Sequence, residues 1–434
     1  MSTDPVTVRS GAPARAGETF NKGYVRWIIC ALLFFIVALN YIDRQVLSVL
    51  KPTLQGLYNW SEIGYGDVAF WFQAAYGIGY VVFGRVVDRV GAKTGGIIAV
   101  TIWTISHMAH ALVTSTRGFT LVRIPMGIGE SGLFPCTLKA AAEWFPRSER
   151  AFAIGLFNAG SNVGAIVAPF IVPIITIAFG WQMAFILTGL LTIVWLAAWL
   201  AFYRKPREHK SITAAELAHI ESDPVEPQRP VAWSRLFRTR ETWAYIAGRA
   251  MIDPVWWTFL FWLPDFFSKR YDLDLKNYGP PLVTIYVIAD IGSVMGGWGS
   301  SRLLKRGFSL SAARKLAMLA CAVVVMPVAF AMYAPMWGAV ALIALACAGH
   351  QGFSANLFAL PSDVFPRWAV GSVVGLGGLS GALGGMAMSK YAGWVLQTLG
   401  SYTPIFLFAS VAYLLALLVL HLIVPRYAPA KLPQ

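Results

Sequence analysis

Long apolar runs, separated by short polar stretches, recur along the whole chain. An α-helix needs about 20 mostly apolar residues to cross the hydrocarbon core of a bilayer, and these runs reach that length. Lipid offers no partner for unpaired backbone groups, so each run is predicted to be a helix. Twelve segments are predicted, at residues 25–50, 66–86, 95–114, 118–143, 151–176, 181–203, 242–268, 282–302, 312–332, 335–360, 370–396 and 402–424.

The longest polar interval covers residues 204–240 and lies between the sixth and seventh segments. Its stretch SITAAELAHIE is typical of a short amphipathic helix that begins at Ser211 or Thr213, and a proline-rich linker follows. The interval divides an all-α membrane protein into two six-helix halves, residues 1–203 and 241–434. Two such halves favour a secondary transporter with its substrate site between them, near the middle of the bilayer.

Basic residues predict the orientation of the chain. Of 35 lysines and arginines, 25 lie in the tails and inner loops if the N-terminus is cytoplasmic, and five lie within the spans. The outer loops hold the other five, which are Lys51, Arg117, Lys269, Arg270 and Lys276. Because lysine and arginine accumulate on the cytoplasmic side, both termini are predicted to be cytoplasmic. The net charge of +14 then follows from membrane topology and does not indicate nucleic-acid binding.

Composition excludes a water-soluble enzyme, because 57% of the residues are hydrophobic and only 13% are charged. The sequence has no ATP-binding Walker loop, no metal-spaced His/Cys cluster and no serine nucleophile motif. We therefore expect no enzyme activity, no metal and no cofactor, with transport driven by an ion gradient or by the substrate gradient. The arginines within the spans, with acids to pair with them, favour an anionic substrate that moves with protons down a proton gradient. The four cysteines lie inside apolar runs and are predicted to be small packed residues.

Ionisable residues near the end of the first segment are the first candidates for function, since such groups are costly inside a membrane. Asn40 and Arg44 share a helix face, whereas Asp43 is rotated by about 100° from Arg44. We expect Arg44 to point into a central cavity and Asp43 to face a neighbouring helix. If the helix ends at Lys51 and Pro52, Asp43 lies about 12 Å from that end. The alternative places both at the outer interface, with Arg44 reaching the lipid headgroups.

Arg123 and Glu130 lie in the fourth segment, seven residues apart. They project from one helix face at a separation of about 10 Å, so each needs a partner on another helix. Asp43 is the expected partner of Arg123. Glu130 lies among glycines that let helices approach closely, and buried carboxyls of this kind serve as proton carriers. The alternative is a buried acid with a purely structural role.

The seventh segment contains Arg249 and Asp253, whose spacing predicts an ion pair within one helix. Trp257 offers a flat apolar face that suits a sugar ring, although an aromatic belt at the membrane interface explains it equally well. Gln73 and Tyr76 of the second segment are candidates for binding hydroxyl groups. A thinner polar set, for which interhelical hydrogen bonds are the first interpretation, consists of Asp290, His350, Gln351, Ser354, Asn356 and Lys390. From it, Gln351 and Ser354 are included among the candidate substrate-binding residues.

The loop after the second segment reads GRVVDRVGAKTG, and a degraded copy, GWGSSRLLKRGFS, follows the eighth. A basic inner loop explains the lysines and arginines alone but not the glycines and the aspartate. The first copy resembles the signature loop of the major facilitator superfamily, which gates the conformational change. Its matching residues are Gly84, Asp88, Arg89, Gly91 and Lys93.

The chain resembles the anion:cation symporters of this superfamily, and most closely the bacterial hexuronate transporters. The resemblance covers all twelve segments and is carried by NYIDRQVLS, AAEWFPRSERAFAIGLFNAGSNVGAIVAP, GWQMAFILTG, RAMIDPVWWTFLFWLP and AGHQGFSANLFALPSDVFP. It implies proton-coupled uptake of glucuronate or galacturonate by a multi-pass protein of the bacterial inner membrane that works as a monomer. Neighbouring branches carry galactonate, other sugar acids, or aromatic or dicarboxylic acids, and these remain the alternative substrates.

The resemblance also implies roles for individual residues. Arg44, assisted by Arg249, would hold the substrate carboxylate, and Tyr76, Asn158 and Ser161 would bind its hydroxyl groups. 

For proton coupling, the resemblance implies Asp43 and Glu130 as the protonated pair, with Arg123 engaging Asp43 when it is ionised. The Asp43-Arg44 sequence is closer to the galactonate branch, because some hexuronate carriers lack this acid. An exchanger is a further alternative. A membrane sensor is disfavoured, because the tails and the linker are too short for a signalling domain.

Overall fold

The structure is a computed structural model that describes residues 23–222 and 233–430. The two tails and the proline-rich part of the predicted linker lie outside these ranges. Every regular element within them is helical. The α-helices are α1 Val25–Tyr58, α2 Glu62–Ala109, α3 Thr116–Ser131, α4 Leu133–Trp144, α5 Arg147–Phe179, α6 Trp181–Phe202, α7 Ala214–Ile220, α8 Trp233–Leu236, α9 Arg240–Tyr271, α10 Gly279–Lys305, α11 Leu310–Val325, α12 Met336–Val364, α13 Arg367–Leu399 and α14 Thr403–Ile423.

Nine helical segments of the described chain are long and apolar enough to cross a membrane. Two predicted segments, 66–86 and 95–114, are continuous in α2 except at Gly91, where φ is 83°. A residue with a side chain rarely adopts this left-handed value, so the glycine sets the break between two helical pieces. The predicted segment 118–143 is divided at Gly132 into α3 and α4.

The predicted end of the first helix at Lys51 and Pro52 is wrong. Helix α1 continues through Pro52 and ends at Asn59, whose φ of 50° is left-handed. Lys51 is fully buried within this helix and does not belong to an outer loop, because its ammonium group is paired with two carboxylates. Lys269, also counted as a loop residue, lies in the last turn of α9.

Close packing of α1 on α5 depends on glycines. A Cβ atom at Gly160 would lie 2.3 Å from the carbonyl oxygen of Phe34, and one at Gly164 would lie 2.3 Å from that of Ala38. These distances are far below van der Waals contact, so only glycine allows this separation of the two helix backbones. The first half is completed by α2, α3, α4 and α6, and the halves meet through α1 on α9, α2 on α13 and α5 on α10.

The amphipathic helix predicted in the linker is α7, and of the two predicted caps the structure uses Thr213, whose Oγ1 accepts from the backbone N–H of Glu216 at 3.1 Å. Glu216 is fully buried, and its carboxylate accepts from the backbone N–H of Arg26 at 3.1 Å. An acceptor at the start of a helix satisfies N–H groups that have no partner inside the helix. The linker helix is therefore docked on the first turn of α1.

Candidate functional site

A buried ion pair between α1 and α3 forms the centre of the candidate site. Arg44 Nε donates to Glu130 Oε2 at 2.8 Å, and Arg44 Nη2 lies 2.7 Å from the same oxygen. Nη2 also donates to Asn40 Oδ1 at 3.0 Å. The two charged side chains are almost fully buried, and the second carboxylate oxygen, Glu130 Oε1, has no hydrogen-bond partner in the described chain.

Aromatic rings surround the Arg44 guanidinium. Its Cζ lies 5.0 Å from the ring centroid of Tyr41, 5.2 Å from Tyr76, 5.3 Å from Trp257 and 5.8 Å from Phe72. Stacking of this kind stabilises a cation away from water and leaves the edge of the guanidinium available for carboxylate oxygens. Trp257 belongs to the second half, so the ion pair lies where the two halves meet.

Asp43 lies in a second buried pocket, on the other side of α1. Its Oδ2 accepts from Trp103 Nε1 at 2.8 Å and from Thr192 Oγ1 at 3.2 Å, and its Oδ1 lies 3.2 Å from His107 Nε2. The carboxyl has no exposure. The sequence did not predict that Trp103, His107 and Thr192 are neighbours of Asp43. His107 could have been noticed, because a histidine within an apolar run is a signal of function.

Arg123 is not hydrogen-bonded to Asp43, contrary to our expectation. Its Nη2 donates to the backbone carbonyl of Arg44 at 3.0 Å, and its guanidinium lies 4.6 Å from the ring centroid of Phe72. Two structural causes are visible: the Asp43 carboxyl is turned towards α2 and α6, and Arg123 lies on the Arg44 side of α1. Arg123 therefore contacts the backbone of α1 at Arg44, one residue after Asp43.

Comparison with known proteins identifies the family. The Major Facilitator Superfamily model matches residues 33–389. The chain belongs to the Major Facilitator Superfamily. It is a multi-pass membrane transporter and not an enzyme.

This superfamily member is similar to several sugar-acid transporters. It is 32% identical to the hexuronate transporter of Escherichia coli (strain K12), over 94% of this chain and 96% of the relative. It is 33% identical to the galacturonate transporter of Dickeya chrysanthemi, over 63% of this chain and 81% of the relative. It is 28% identical to the D-galactonate transporter of Escherichia coli O6:H1, over 92% and 95%.

A solved structure has the same fold. The bacterial homolog to the human lysosomal transporter Spinster, in an inward-facing and occupied conformation, has a TM-score of 0.69 and 16% identity to this chain, over 92% of this chain and 96% of that one.

The predicted Arg249–Asp253 pair is present in this transporter. Arg249 Nε donates to Asp253 Oδ2 at 2.8 Å, and Nη2 lies 2.6 Å from the same oxygen. The Arg249 guanidinium lies 4.2 Å from the ring centroid of Phe358 of α12. The second half thus holds its own partly buried arginine–carboxylate pair, formed within a single helix.

The other candidate substrate residues are distributed around these pairs. Gln73 Nε2 donates to Ser389 Oγ of α13 at 2.9 Å, and Ser161 Oγ donates to the carbonyl of Asn158 at 2.7 Å. Ser354 Oγ lies 3.3 Å from His350 Nε2, and Gln351 is half-buried on the same helix. In the described chain, the structure joins Arg44 to Tyr76, Trp257 and Glu130 but to none of the other five candidates of this group, Gln73, Asn158, Ser161, Gln351 and Ser354.

Some members of the thinner polar set form hydrogen bonds or ion pairs between helices, as expected. Asn356 Nδ2 donates to the carbonyl of Gly296 on α10 at 3.0 Å, and Lys390 forms an ion pair with Asp67 of α2. Asp290 is half-buried in α10.

The stretch that resembles the signature loop lies at the break in α2. Lys139 of α4 donates from Nζ to the carbonyl of Val87 at 2.9 Å and lies 3.7 Å from Asp88 Oδ1. Lys93, just after the break, donates to the carbonyl of Leu200 at 3.3 Å. Gly84 and Arg89 lie in the first helical piece of α2, which the break at Gly91 ends.

Four charged residues join the halves at the end of the bundle where α1 ends and α2 begins. We call Lys51, Glu62, Asp265 and Lys269 the ion cluster. Lys51 Nζ lies 2.5 Å from Asp265 Oδ1 of α9 and 2.8 Å from Glu62 Oε2 of α2. Lys269 pairs with both acids, and the Tyr402 hydroxyl donates to Asp265. This cluster was not predicted from the sequence, because both lysines were assigned to outer loops.

Proposed function

We propose that the chain is a proton-coupled symporter for a sugar-acid anion, and that this anion is a hexuronate such as glucuronate or galacturonate. The observation that carries the proposal is the buried Arg44–Glu130 pair, with its surrounding aromatic rings. An arginine fork is suited to a carboxylate, and aromatic faces suit the apolar faces of a sugar ring. Support for the substrate class comes from relatives that are hexuronate and galacturonate transporters.

The pair also suggests how substrate and proton are coupled. Arg44 is occupied by Glu130, and a buried guanidinium without a counter-charge is costly. A substrate carboxylate can therefore replace Glu130 at Arg44 most easily when Glu130 takes up a proton. Net charge in the site is then unchanged, so proton and anion enter together. Release of the proton restores the Arg44–Glu130 pair and expels the substrate.

Asp43 is the second proposed proton site, and Arg123 is proposed to connect it to the substrate site. Arg123 donates to the backbone of Arg44, next to the enclosed Asp43 carboxyl. In this proposal Arg249, Gln73, Asn158, Ser161, Gln351 and Ser354 complete the substrate path during the movement of the halves. Gly84, Asp88, Arg89, Gly91 and Lys93 act as the conformational-gating loop.

The proposed topology has twelve spans with both termini in the cytoplasm of a bacterium. The nine apolar helical segments become ten when α2 is counted as two spans across Gly91. Helix α9 and the α3–α4 segment bring the number to twelve, because both have span-length helices interrupted by charged residues. In this proposal residues 1–203 and 241–434 are the two halves and 204–240 the linker, in a monomer of the inner membrane that needs no cofactor.

Transport by purified protein in proteoliposomes tests the proposal. Labelled glucuronate, galacturonate and galactonate are supplied outside, with and without an imposed inward proton gradient. We expect accumulation of a hexuronate above its equilibrium level only with the gradient. Accumulation of galactonate alone would assign the chain to the galactonate branch, whose D-galactonate member is 28% identical. Accumulation that requires a second anion inside the vesicles and does not depend on the proton gradient would overturn the symport mechanism.

A further inference from the structure

The Asp43 carboxyl is enclosed by protein groups and does not open onto the substrate site. It is completely buried, and its hydrogen-bond partners, Trp103 and Thr192, lie on α2 and α6 of the same half. The Arg44 side chain points to a different helix, α3. A proton that reaches Asp43 must therefore pass through the groups that enclose it.

His107 is the one titratable side chain within hydrogen-bonding distance of Asp43 in the described chain, with Nε2 3.2 Å from Oδ1. The two groups that donate to Asp43 Oδ2 are poor carriers, and the other hydroxyl beside the carboxyl, that of Thr188, donates to the carbonyl of Ala184. The Trp103 indole is only a donor, and Thr192 already donates its hydroxyl proton to Asp43 Oδ2. Asp43 Oδ1 is the oxygen without a hydrogen bond in the described structure, so it is the atom free to accept a proton.

The hydrogen bonds of His107 indicate which nitrogen carries its proton. Thr188 donates its hydroxyl proton to the carbonyl of Ala184 at 2.9 Å, so Thr188 Oγ1 accepts from His107 Nε2 at 2.7 Å. The neutral ring is then protonated on Nε2, by assignment from the network. Its Nδ1 is buried, has a lone pair and has no partner in the described chain. The ring can thus accept a proton on one side while facing Asp43 on the other.

We propose that His107 relays protons to and from Asp43, an inference that rests on the proposed proton coupling. When the half opens to water, a hydronium ion transfers its proton to Nδ1 and leaves as a water molecule, and the ring becomes a cation. The Nε2–H bond then breaks, and its proton forms an O–H bond at Asp43 Oδ1. The products are a neutral ring with its proton on Nδ1 and a neutral carboxyl group, so one proton has moved and no other group has changed. The reverse sequence releases it.

The charged and titratable neighbours of this relay are few. Helix α1 supplies Asp43, α2 supplies His107, and the short 3-10 turn that follows α2 supplies His110. Helix α3 supplies Arg123, whose charge acts on both histidines, and Glu130, whose carboxylate acts on Asp43. Helix α6 contributes threonine hydroxyls and the ring of Phe185, which lies 5.2 Å from the His107 ring centroid. Arg123 is thus the one permanent charge acting on the relay, and its position beside α1 links the relay to the substrate site.

His107→Gln tests the relay, because glutamine keeps an amide donor of similar reach but cannot pass a proton through. The matched control is His110→Gln, in the 3-10 turn that follows α2 and equally buried, whose ring bonds the Ser106 carbonyl and no acid. In proteoliposomes with labelled glucuronate, we expect His107→Gln to lower gradient-driven accumulation by about tenfold or more. Exchange between equal pools stays within about twofold of the unmodified protein, since it needs no net proton transfer. His110→Gln changes neither measurement.

A second measurement needs no substrate, so it separates failure of the relay from failure of the proposed function. After a rapid drop in pH, infrared spectroscopy follows the band of a protonated carboxyl that Asp43→Asn removes. We expect this band to rise at least about tenfold more slowly in His107→Gln than in the unmodified protein or His110→Gln. An unchanged rate, or loss of exchange together with accumulation in His107→Gln, overturns the relay.

Discussion

Asp43 and Arg44 are consecutive residues of α1, yet their side chains belong to two separate buried sites. Arg44 Nε lies 2.8 Å from Glu130 Oε2 of α3, whereas Asp43 Oδ2 accepts from Trp103 of α2 at 2.8 Å. The rotation of about 100° between neighbouring helix positions accounts for the divergence. Arg123 joins the sites by donating to the backbone carbonyl of Arg44, one residue after Asp43. A shift of α1 at either site therefore acts on the other.

Arg44→Lys is expected to lose most transport, by about tenfold or more, while the protein still reaches the membrane. In the structure two nitrogens of Arg44 approach one Glu130 oxygen, and a lysine ammonium cannot present this planar pair of donors. The measurement is substrate uptake and affinity in proteoliposomes. Arg117→Lys, at an exposed position of α3, is the control for the same chemical change. Near-normal affinity of Arg44→Lys would show that the substrate carboxylate binds elsewhere.

Neutral substitutes at the two acids are expected to uncouple transport from protons. Asp43→Asn and Glu130→Gln each remove the charge change that links proton and anion, so neither should accumulate substrate against its gradient. An amide resembles the protonated acid in shape and charge, so at least one variant should keep substrate binding or exchange. The measurement is uptake with and without an imposed pH gradient. If both variants still concentrate substrate, the proton sites lie elsewhere, and Asp253 and Asp290 are the next candidates.

The sequence predicts features that depend on local geometry. The i, i+4 spacing gives the Arg249–Asp253 pair, and helix rotation gives the divergence of Asp43 from Arg44. Features between distant segments were missed, because they depend on how helices pack. Lys51 and Asp265 are an example: they come from different halves, and the proline after Lys51 resembles a helix end although α1 continues.

Lys51→Met is expected to weaken the closed contact between the halves. The substitution leaves Lys269 as the one cation of the ion cluster for the two acids Glu62 and Asp265, so one buried negative charge is uncompensated. Loss of one member of a buried pair costs about 3–5 kcal/mol, and the remaining Lys269 keeps the expected cost at the lower end of this range. The measurement is the accessibility to a thiol reagent of a cysteine placed at Ser48, whose hydroxyl donates to the carbonyl of Leu260 across the halves at 2.9 Å. We expect greater labelling in Lys51→Met.

Two further variants control this experiment. Asp265→Asn added to Lys51→Met removes the uncompensated charge and should restore part of the protection, as a double-mutant cycle would measure. Lys276→Met, at an exposed position beyond α9, should leave labelling unchanged. If Lys51→Met labels no faster than the unmodified protein, the ion cluster does not hold the halves together.

Glu216→Gln is expected to lower the stability of the first half by loosening the linker helix from α1. The buried carboxylate accepts on Oε1 from the backbone N–H of Arg26 at 3.1 Å and from its Nη1 at 3.2 Å, and on Oε2 from the backbone N–H of Val25 at 3.4 Å. An amide loses the charge and must aim an N–H group at donors, so the cost is about 1–3 kcal/mol. The measurement is thermal unfolding in detergent, with Glu208→Gln, at an exposed position of the same linker, as the control. Neutralising a buried acid that accepts hydrogen bonds lowers the free energy of unfolding if its contact contributes to stability. Equal unfolding temperatures for both variants would therefore mean that the contact between α7 and α1 adds nothing to stability.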